Sequence, residues 1–455
     1  MTNSTSTEQA PASRRMGCGG CLLICSGIAV ACAAVAMIAA YVWHRRTETE
    51  VNALLDDIRS RGEPASAAEL EAFYTLPGDA EDCTALWLKA TADFDSQDFS
   101  DAFSRTGLLA DTFPSPGVPW AEQQAAAELL EKYDANMQLM HEAARKGGAA
   151  RYTTNFNKGP AMILPHVQLL REGARMLQLE ALVRARTDDP DGVVESIKTT
   201  NRLGESLRNE PVMVSQLVRV AIAGINVQTI QHTIPHVRFS DEQLQQLSDM
   251  LKQTSFDGSL RRSLLGERVM GISVAQNPEI MADSEVRIPP ALLNMCLIHY
   301  LQSMEEPLAI AEQPEVERLR NLEQHEETIQ ASVDEAGRVE GLLTTLLLPS
   351  AEAAAVATAR ANLGNQAARV AIACERYRRQ HGTLPPRLIR LVPQFLEQIP
   401  PDPFDGQPLR YLVSENKVRI YSIGTNRVDD GGMGELENQM QRDPDIVYQF
   451  VWPLD

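Results

Sequence analysis

The alternation of hydrophobic and polar residues divides the chain into three parts. Residues 21–43 form an uncharged, mostly apolar run. From about residue 47 to residue 350, apolar residues recur every three or four positions, which is typical of amphipathic helices. The remainder begins with an alanine-rich helical pattern and ends in short, imperfectly alternating runs typical of β-strands. These runs predict an antiparallel hairpin with Asn416 at its turn and a third strand over residues 446–452. The pattern predicts a mainly α-helical protein with four segments: a cytoplasmic tail (1–16), a transmembrane helix (17–43), an α-helical extracytoplasmic body (47–345) and a small C-terminal α+β unit (346–455).

The apolar run is long enough to cross a membrane. Its 23 residues would span about 34 Å as a helix, and the hydrocarbon core of a bilayer is about 30 Å thick. Tyr41 and Trp43 stand where interfacial aromatic residues are expected. We therefore predict a single-pass protein of the cytoplasmic (inner) membrane.

The orientation follows from the position of the run near the start of the chain. Two arginines flank each end, so the positive-inside bias is weak: Arg14, Arg15, Arg45 and Arg46. A short tail before a first hydrophobic segment favours a signal-anchor with its N-terminus in the cytoplasm. The alternative is a cleavable signal peptide, for which Ala34, Ala36 and Ala40 offer small residues, although the run exceeds the usual ~7–15 residues. Either interpretation exports the body.

Four of the seven cysteines lie in or just before the apolar run, on one face of the predicted helix: Cys18, Cys21, Cys25 and Cys32. A face of small residues would let two such helices approach closely, so self-association through the anchor is one interpretation. The alternative is that the stripe only reflects a composition rich in alanine, cysteine and glycine. The other three cysteines are too widely spaced for a disulfide framework or a zinc site.

The clearest helices of the body form a pair. Residues 166–186 carry apolar side chains on one face, and Asp189 and Pro190 then suit the N-cap and first position of a second helix that ends near Leu207. The pair weakly resembles a tetratricopeptide-type hairpin. An array of such hairpins would imply a peptide-binding groove, whereas a single one implies only packed helices. Residues 98–120 are predicted to be a loop, and residues 316–340 a long exposed helix.

The C-terminal unit resembles a known family. The residues that carry the resemblance occur in a fixed order: Tyr377, His381-Gly382, Leu384-Pro385, Pro400-x-Asp402-Pro403-Phe404-Asp405-Gly406, Tyr411, Tyr421-Ser422-Ile423-Gly424 and Asp429-Asp430-Gly431-Gly432. This order is similar to that of the major pseudopilin of type II secretion systems and of related bacterial pilin-like envelope proteins. Over about 110 residues, the resemblance implies a long helix packed on a small antiparallel sheet. The family's assembly helix and prepilin-peptidase site directly precede this unit, whereas about 340 other residues precede it here.

The same resemblance implies a metal site. In that family a loop after the last strands binds calcium, and the best matching positions here are Asn426, Asp429 and Asp430, with Asp443 and Asp445 further along. Calcium takes six to eight oxygen ligands, which clustered carboxylates near a turn can supply. The alternative is a solvated turn that uses aspartate and glycine for backbone reasons.

The charge and the absence of catalytic motifs restrict the function. Four of the 42 Lys and Arg and one of the 61 Asp and Glu precede Thr47, so the rest of the chain carries a net charge of −22. Such a body is repelled by nucleic acid. No zinc-protease, nucleophile-elbow, phosphate-loop or dinucleotide motif occurs.

These observations favour a non-enzymatic interaction or scaffold module of the bacterial envelope whose partner is an unknown extracytoplasmic protein. One alternative is an accessory component of a type II secretion or pilus-like system, which would use the C-terminal unit to contact its structural relatives. The other alternative is a hydrolase, because catalytic sites can assemble from residues that are distant in the sequence.

Overall fold

The structure is mainly helical, with one small sheet near the C-terminus. The residues described by the computed structural model are 18–108, 113, 119–277, 279, 289–340, 344, 350–414, 416–433 and 445–452. The helices in these residues are α1 (Cys18–Ser60), α2 (Ala67–Phe73), α3 (Thr84–Thr91), α4 (Gln97–Ser104), α5 (Gln123–Lys132), α6 (Asp134–Lys146), α7 (Pro165–Arg186), α8 (Pro190–Glu205), α9 (Met213–Thr233), α10 (Asp241–Gln253), α11 (Ser259–Gln276), α12 (Pro290–Ile310), α13 (Glu315–Glu340) and α14 (Ala351–His381). The strands are β1 (Arg410–Val413), β2 (Lys417–Ser422) and β3 (Ile446–Val451).

Helix α1 runs without a break from the apolar segment into the body. In its apolar part the side chains are exposed, with Val30 at 70% and Met37 at 67%. From Val51 onward the helix packs on α12 and buries Leu55 and Ile58. The exposed apolar part is long enough to be a membrane anchor or a signal sequence. Helix α9 is also long and apolar, but half of its most apolar stretch is buried inside the protein, as in a core helix.

Two predictions about the N-terminus fall largely outside the described residues. The tail of residues 1–16 is one of them. The other is self-association through the small-residue face, because only Cys32 among its four cysteines has a described side chain, and that side chain is exposed. Both stay predictions.

Helix α12 runs parallel to the part of α1 that enters the body. Near the start of the pair, the Asn294 amide donates to Thr47 Oγ1 at 3.2 Å. Fourteen residues further along the chain, just after α1 ends, Arg61 donates to both carboxylate oxygens of Glu305 at 2.6 and 2.8 Å. The end of the body that contains the start of α12 therefore lies next to the apolar part of α1.

The C-terminal sheet is an antiparallel meander in the order β1-β2-β3. Val418 in β2 pairs with Val413 on one side and Phe450 on the other. Val418 and Ile420 alternate along β2 and pack with Phe450 into the core shared with α14. The predicted hairpin with Asn416 at its turn, the predicted third strand and the preceding long helix are all confirmed.

The core of this C-terminal part is continuous with the core of the helical body. One buried cluster contains Ile197 of α8, Ile230 of α9 and Leu244 of α10 together with Leu363 of α14 and Ile420 of β2. Helix α14 packs along α9 and α10 as well as on the sheet. The segments predicted as 47–345 and 346–455 thus share one hydrophobic core, and α14 has no free apolar side along this stretch.

The prediction of a loop for residues 98–120 is wrong at its start. Helix α4 begins after Ser96, whose side chain accepts a hydrogen bond from the Phe99 backbone N–H at 3.2 Å. Phe99 and Phe103 lie one turn apart and are both buried. The intervening serines and aspartates suggested a turn, but they occupy the exposed face of a short amphipathic helix. Residues 109–112 and 114–118 lie outside the described part of the chain.

The prediction of a helix for residues 316–340 is correct in its bounds, but the first half of the helix is not fully exposed. Helix α13 buries Leu319 and Leu322 in the cluster shared with α12 and α14. The many charges of this segment hid the three-residue spacing of these two leucines.

Candidate functional site

The helix pair predicted from the sequence forms one wall of a large open concavity. Helix α7 ends at Arg186, and α8 begins at Pro190 after the N-cap residue Asp189. The Asp189 carboxylate accepts a hydrogen bond from the Gly192 backbone N–H at 3.0 Å, as the capping pattern predicted. The helix pair is therefore confirmed, and α8 also packs on α9 and α10.

An open groove of about 1220 Å³ runs along α8, between α10 on one side and the ends of α6 and α7 on the other. Its surface is polar and strongly charged, with equal numbers of basic and acidic residues. The amide side chains of Asn201, Gln243, Gln246 and Gln253 also line it. The basic residues are Arg145, Arg184, Lys198, Arg202 and Arg208. Ligand pockets of enzymes are usually enclosed and mostly apolar, so this groove is of a different kind.

Some charged side chains in the groove form ion pairs, whereas two of its cations do not. Glu195 accepts from Arg145 at 2.9 Å and from Arg184 at 3.4 Å. Lys198 donates to the side-chain oxygen of Gln246 at 2.6 Å. Within the described residues neither Lys198 nor Arg202 forms an ion pair, although both lie on the groove side of α8. The floor therefore offers unpaired cations beside amide groups, which suits the backbone and acidic side chains of an extended polypeptide.

A buried polar network lies beneath the floor of the groove. His141 of α6 contacts Thr199 Oγ1 through Nδ1 at 2.8 Å and Glu180 Oε2 through Nε2 at 2.9 Å. Glu180 also accepts from Ser196 Oγ and Arg184, both at 2.7 Å. Burial alone would raise the pKa of Glu180, but the bond to His141 and the charge of Arg184 hold that pKa below its usual value. The network ties α6, α7 and α8 together under the groove.

The order Thr199, His141, Glu180 has the connectivity of a nucleophile, a base and an acid. Thr199 lies in the middle of α8, however, and is only 2% exposed. The backbone N–H groups around it are those of a regular helix, where i→i−4 bonds occupy them. Stabilising an oxyanion requires free donors aimed at the reacting atom. The geometry favours a structural network, and the absence of enzymatic activity stays a prediction.

Reasoning from the sequence did not predict this polar network. Its members come from three helices, and Ser196 and Thr199 lie one turn apart on α8. Only the separation of three residues, which places two short hydroxyl side chains on one helix face, could have indicated it.

The loop after β2 brings together the three residues predicted to bind calcium. The Asn426 side-chain amide donates to Asp430 Oδ2 at 3.5 Å. Asn426 Oδ1 accepts from the Val428 backbone N–H at 3.0 Å, and Asp429 Oδ1 accepts from the Gly431 backbone N–H at 2.9 Å. These local bonds are those of turns built on aspartate and asparagine, and they use part of the oxygen capacity that a metal would need.

Asp445 was not among the three residues predicted to bind calcium, but it lies next to their loop. It is 2% exposed, and its Oδ2 accepts from the Gly432 backbone N–H at 2.7 Å. Its Oδ1 has no hydrogen-bond partner among the described residues. Burial and the charges of Asp429 and Asp430 raise the pKa of Asp445. In the described residues, no three acidic, histidine or cysteine side chains are grouped so that they could hold a metal ion. Asp443 lies outside the described residues. Calcium binding stays a prediction.

If the loop binds calcium, the purified full-length protein in detergent should unfold at a higher temperature when calcium is present. At a free concentration of about 100 times Kd, the stabilisation would be about 2.7 kcal/mol. Asp429→Ala should abolish this response, whereas Asp79→Ala, at an exposed position outside the loop, should preserve it. Equal unfolding temperatures of the unmodified protein in calcium and in magnesium would contradict the site.

The chain has no match among protein-family models, curated proteins or solved structures. The resemblances of its sequence to the major pseudopilin and to tetratricopeptide-type hairpins are neither supported nor contradicted by a relative.

Proposed function

We propose that this protein is a membrane-anchored scaffold of the bacterial envelope that holds another extracytoplasmic polypeptide in the groove between α8 and α10. The observation that carries the proposal is the groove itself. It is open and polar, with equal numbers of basic and acidic residues, amide side chains, and two cations, Lys198 and Arg202, that form no ion pair among the described residues. An extended polypeptide offers a matching set of backbone hydrogen-bonding groups along its whole length. A small apolar substrate would find few contacts there.

The position of the groove supports this role. At the start of α14, Ala351 belongs to the same buried cluster as Val51 of α1. Further along α14, Arg376 pairs with Asp241 at the start of α10 at 2.7 Å. The 25 residues between these positions of α14 correspond to about 38 Å of helix. The groove therefore lies towards the end of the body that is remote from the apolar segment, where a soluble partner has access.

The second candidate function is that of an accessory protein of a type II secretion or pilus-like system. The packing of α14 on a three-stranded meander favours it, because this is the arrangement that the sequence resemblance implies. Since α14 also packs on α9 and α10, contact with a pseudopilin would have to use the sheet. Strand β1 is at the sheet edge, and its Leu412 and Val413 are 44% and 40% exposed.

A cysteine placed in the groove tests both the location and the binding role. Gln246→Cys introduces a thiol into the groove wall of a protein in which Cys18, Cys21, Cys25 and Cys32 are replaced by serine. Cys83, Cys296 and Cys374 are buried and should not react. A membrane-impermeant maleimide that carries a photo-crosslinker should label this variant in intact spheroplasts. Illumination should then give a discrete adduct whose partner is identified by mass spectrometry. A secreted or periplasmic partner supports the scaffold. The second candidate instead predicts a pseudopilin adduct from Leu412→Cys at the edge of the sheet.

The matched control is Gln124→Cys on the exposed face of α5, which contributes no residue to the groove. It should be labelled equally but should not give the same adduct. Identical adducts at both positions, or none at Gln246, would refute binding in the groove. Labelling of neither variant would refute the extracytoplasmic location.

A further inference from the structure

The first turn of α12 carries large apolar side chains that the body does not bury. The exposed Pro289 and Pro290 begin this turn, and all of the next residues but Ala291 are partly exposed. Three of them are large and apolar, namely Leu292, Leu293 and Met295. None of these three belongs to a hydrophobic cluster among the described residues. Neighbouring apolar side chains outside any core mark a surface that another molecule covers.

This turn lies level with the end of the apolar part of α1. The Asn294 amide donates to Thr47 Oγ1 at 3.2 Å, and the two helices run in the same direction. Trp43, the last residue of the apolar run, lies one turn before Thr47 and is 42% exposed. At 1.5 Å per residue, Leu293 is about 5 Å above the level of Trp43. The headgroup region on each side of the hydrocarbon core is about 5–7 Å thick, so the turn lies within it if Trp43 marks the hydrocarbon boundary.

The direction and the lack of charge of this turn both favour contact with lipid. The Cα–Cβ bonds of a helix tilt towards its N-terminus, and the N-terminus of α12 points towards the apolar part of α1. No Asp, Glu, Lys or Arg occurs between Pro289 and Met304. Charged side chains are costly near the hydrocarbon region. An uncharged turn is therefore the part of this acidic body that can meet the bilayer.

We propose that Leu292, Leu293 and Met295 insert into the headgroup region of the bilayer beside α1 and form a second membrane contact. The inference rests on the proposed function, because it requires the apolar part of α1 to stay in the membrane. Helices at the membrane surface typically bury their apolar face about 5–10 Å into the boundary between headgroups and acyl chains. A single helix lets the body turn about the membrane normal and lean to any side. A second contact beside it fixes which face of the body is turned to the lipid and holds the groove away from the surface.

Quenching of a fluorophore by spin-labelled lipid tests this contact. The full-length protein, with Cys18, Cys21, Cys25 and Cys32 replaced by serine, is reconstituted into phosphatidylcholine vesicles. Leu293→Cys then carries an environment-sensitive fluorophore. Phosphatidylcholine with a spin label close to the headgroup should reduce its emission by about twofold or more, because a side chain at the acyl boundary lies within reach of that label. Urea unfolding verifies that the variant is folded.

Gln302→Cys is the matched control on the same helix. Gln302 is exposed and lies about 14 Å further from the membrane than Leu293, beyond the headgroups. The emission of a fluorophore at this position should not change with the spin-labelled lipid. Tyr41→Cys, in the apolar part of α1, is the positive control and should be quenched.

The proposal is overturned if the folded Leu293→Cys protein is quenched no more than the Gln302→Cys protein. A blue-shifted emission at Leu293 that the spin-labelled lipid leaves unchanged would mean that protein, such as a second copy of the chain, covers the turn, and it would overturn the proposal too. Quenching at Tyr41 without quenching at Leu293 would leave the membrane anchor standing and remove only this inference. Absence of quenching at both positions would remove the anchor as well.

Discussion

Gly266→Ala is expected to destabilise the protein by about 3 kcal/mol, the upper end of the usual cost of overpacking. A Cβ at this position of α11 would lie 1.7 Å from the carbonyl oxygen of Pro211 and 2.8 Å from its carbonyl carbon. Both are backbone atoms, so no side-chain rotation can relieve the clash. Helix α11 would have to move away from the segment that leads into α9. Urea unfolding of the purified protein measures the loss.

Gly224→Ala on the exposed face of α9 is the matched control. No atom lies within 4 Å of a Cβ built there. Alanine is favoured over glycine inside a helix by about 1 kcal/mol, so this variant should be more stable than the unmodified protein. The same substitution thus has opposite expected effects at two helical positions. If both variants gain stability, the close approach of α11 to Pro211 is incorrect.

Asp402→Ala is expected to lower the free energy of unfolding by about 3–5 kcal/mol, which is the usual effect of removing one partner of a buried ion pair. Asp402 is fully buried. Its Oδ1 accepts from Ser422 Oγ at 2.7 Å and from the Phe404 backbone N–H at 3.0 Å. Its Oδ2 accepts from the Ile423 backbone N–H at 3.1 Å and from Arg410 at 2.5 Å. Removing the carboxylate leaves all four donors without this acceptor at the point where the turn before β1 meets the end of β2.

The neighbouring Asp405 provides the control for this experiment. It also pairs with Arg410 but is partly exposed, with 21% of its side chain in contact with solvent. Asp405→Ala should therefore cost less than about 1 kcal/mol, as exposed ion pairs do. Thermal unfolding of both variants gives the comparison. An equal loss for the two would mean that the pairing with Arg410, and not the buried backbone contacts, is what stabilises the turn.

The hairpin of α7 and α8 illustrates what local sequence signals can predict. The capping aspartate, the proline after it and the apolar periodicity all act within a few residues, and the structure has each of them in the expected place. The strands at the C-terminus were predictable for the same reason, because alternation and an asparagine turn are local features. Helix α4 was missed because its two buried phenylalanines stand among residues that are equally common in loops.

The candidate site could not be predicted in the same way. The groove depends on the distance between α8 and α10, which are separated by a whole helix in the sequence. Likewise, the role of Asp402 became clear only from two donors that are distant in the sequence. These are the hydroxyl of Ser422, at the end of β2, and the backbone N–H of Ile423, directly after it. Contacts of this kind depend on how distant elements pack, and the spacing of residues within one segment does not reveal them.

The unbroken course of α1 has a mechanical consequence if its apolar part is the anchor. No hinge of glycine or proline separates the lipid-embedded turns from the turns that pack on α12. Any tilt that the bilayer imposes is then transmitted in full to the body, and the groove stays at a fixed height above the headgroups. The distance between the membrane and the groove would then be set by the length of a rigid helix instead of by a flexible linker.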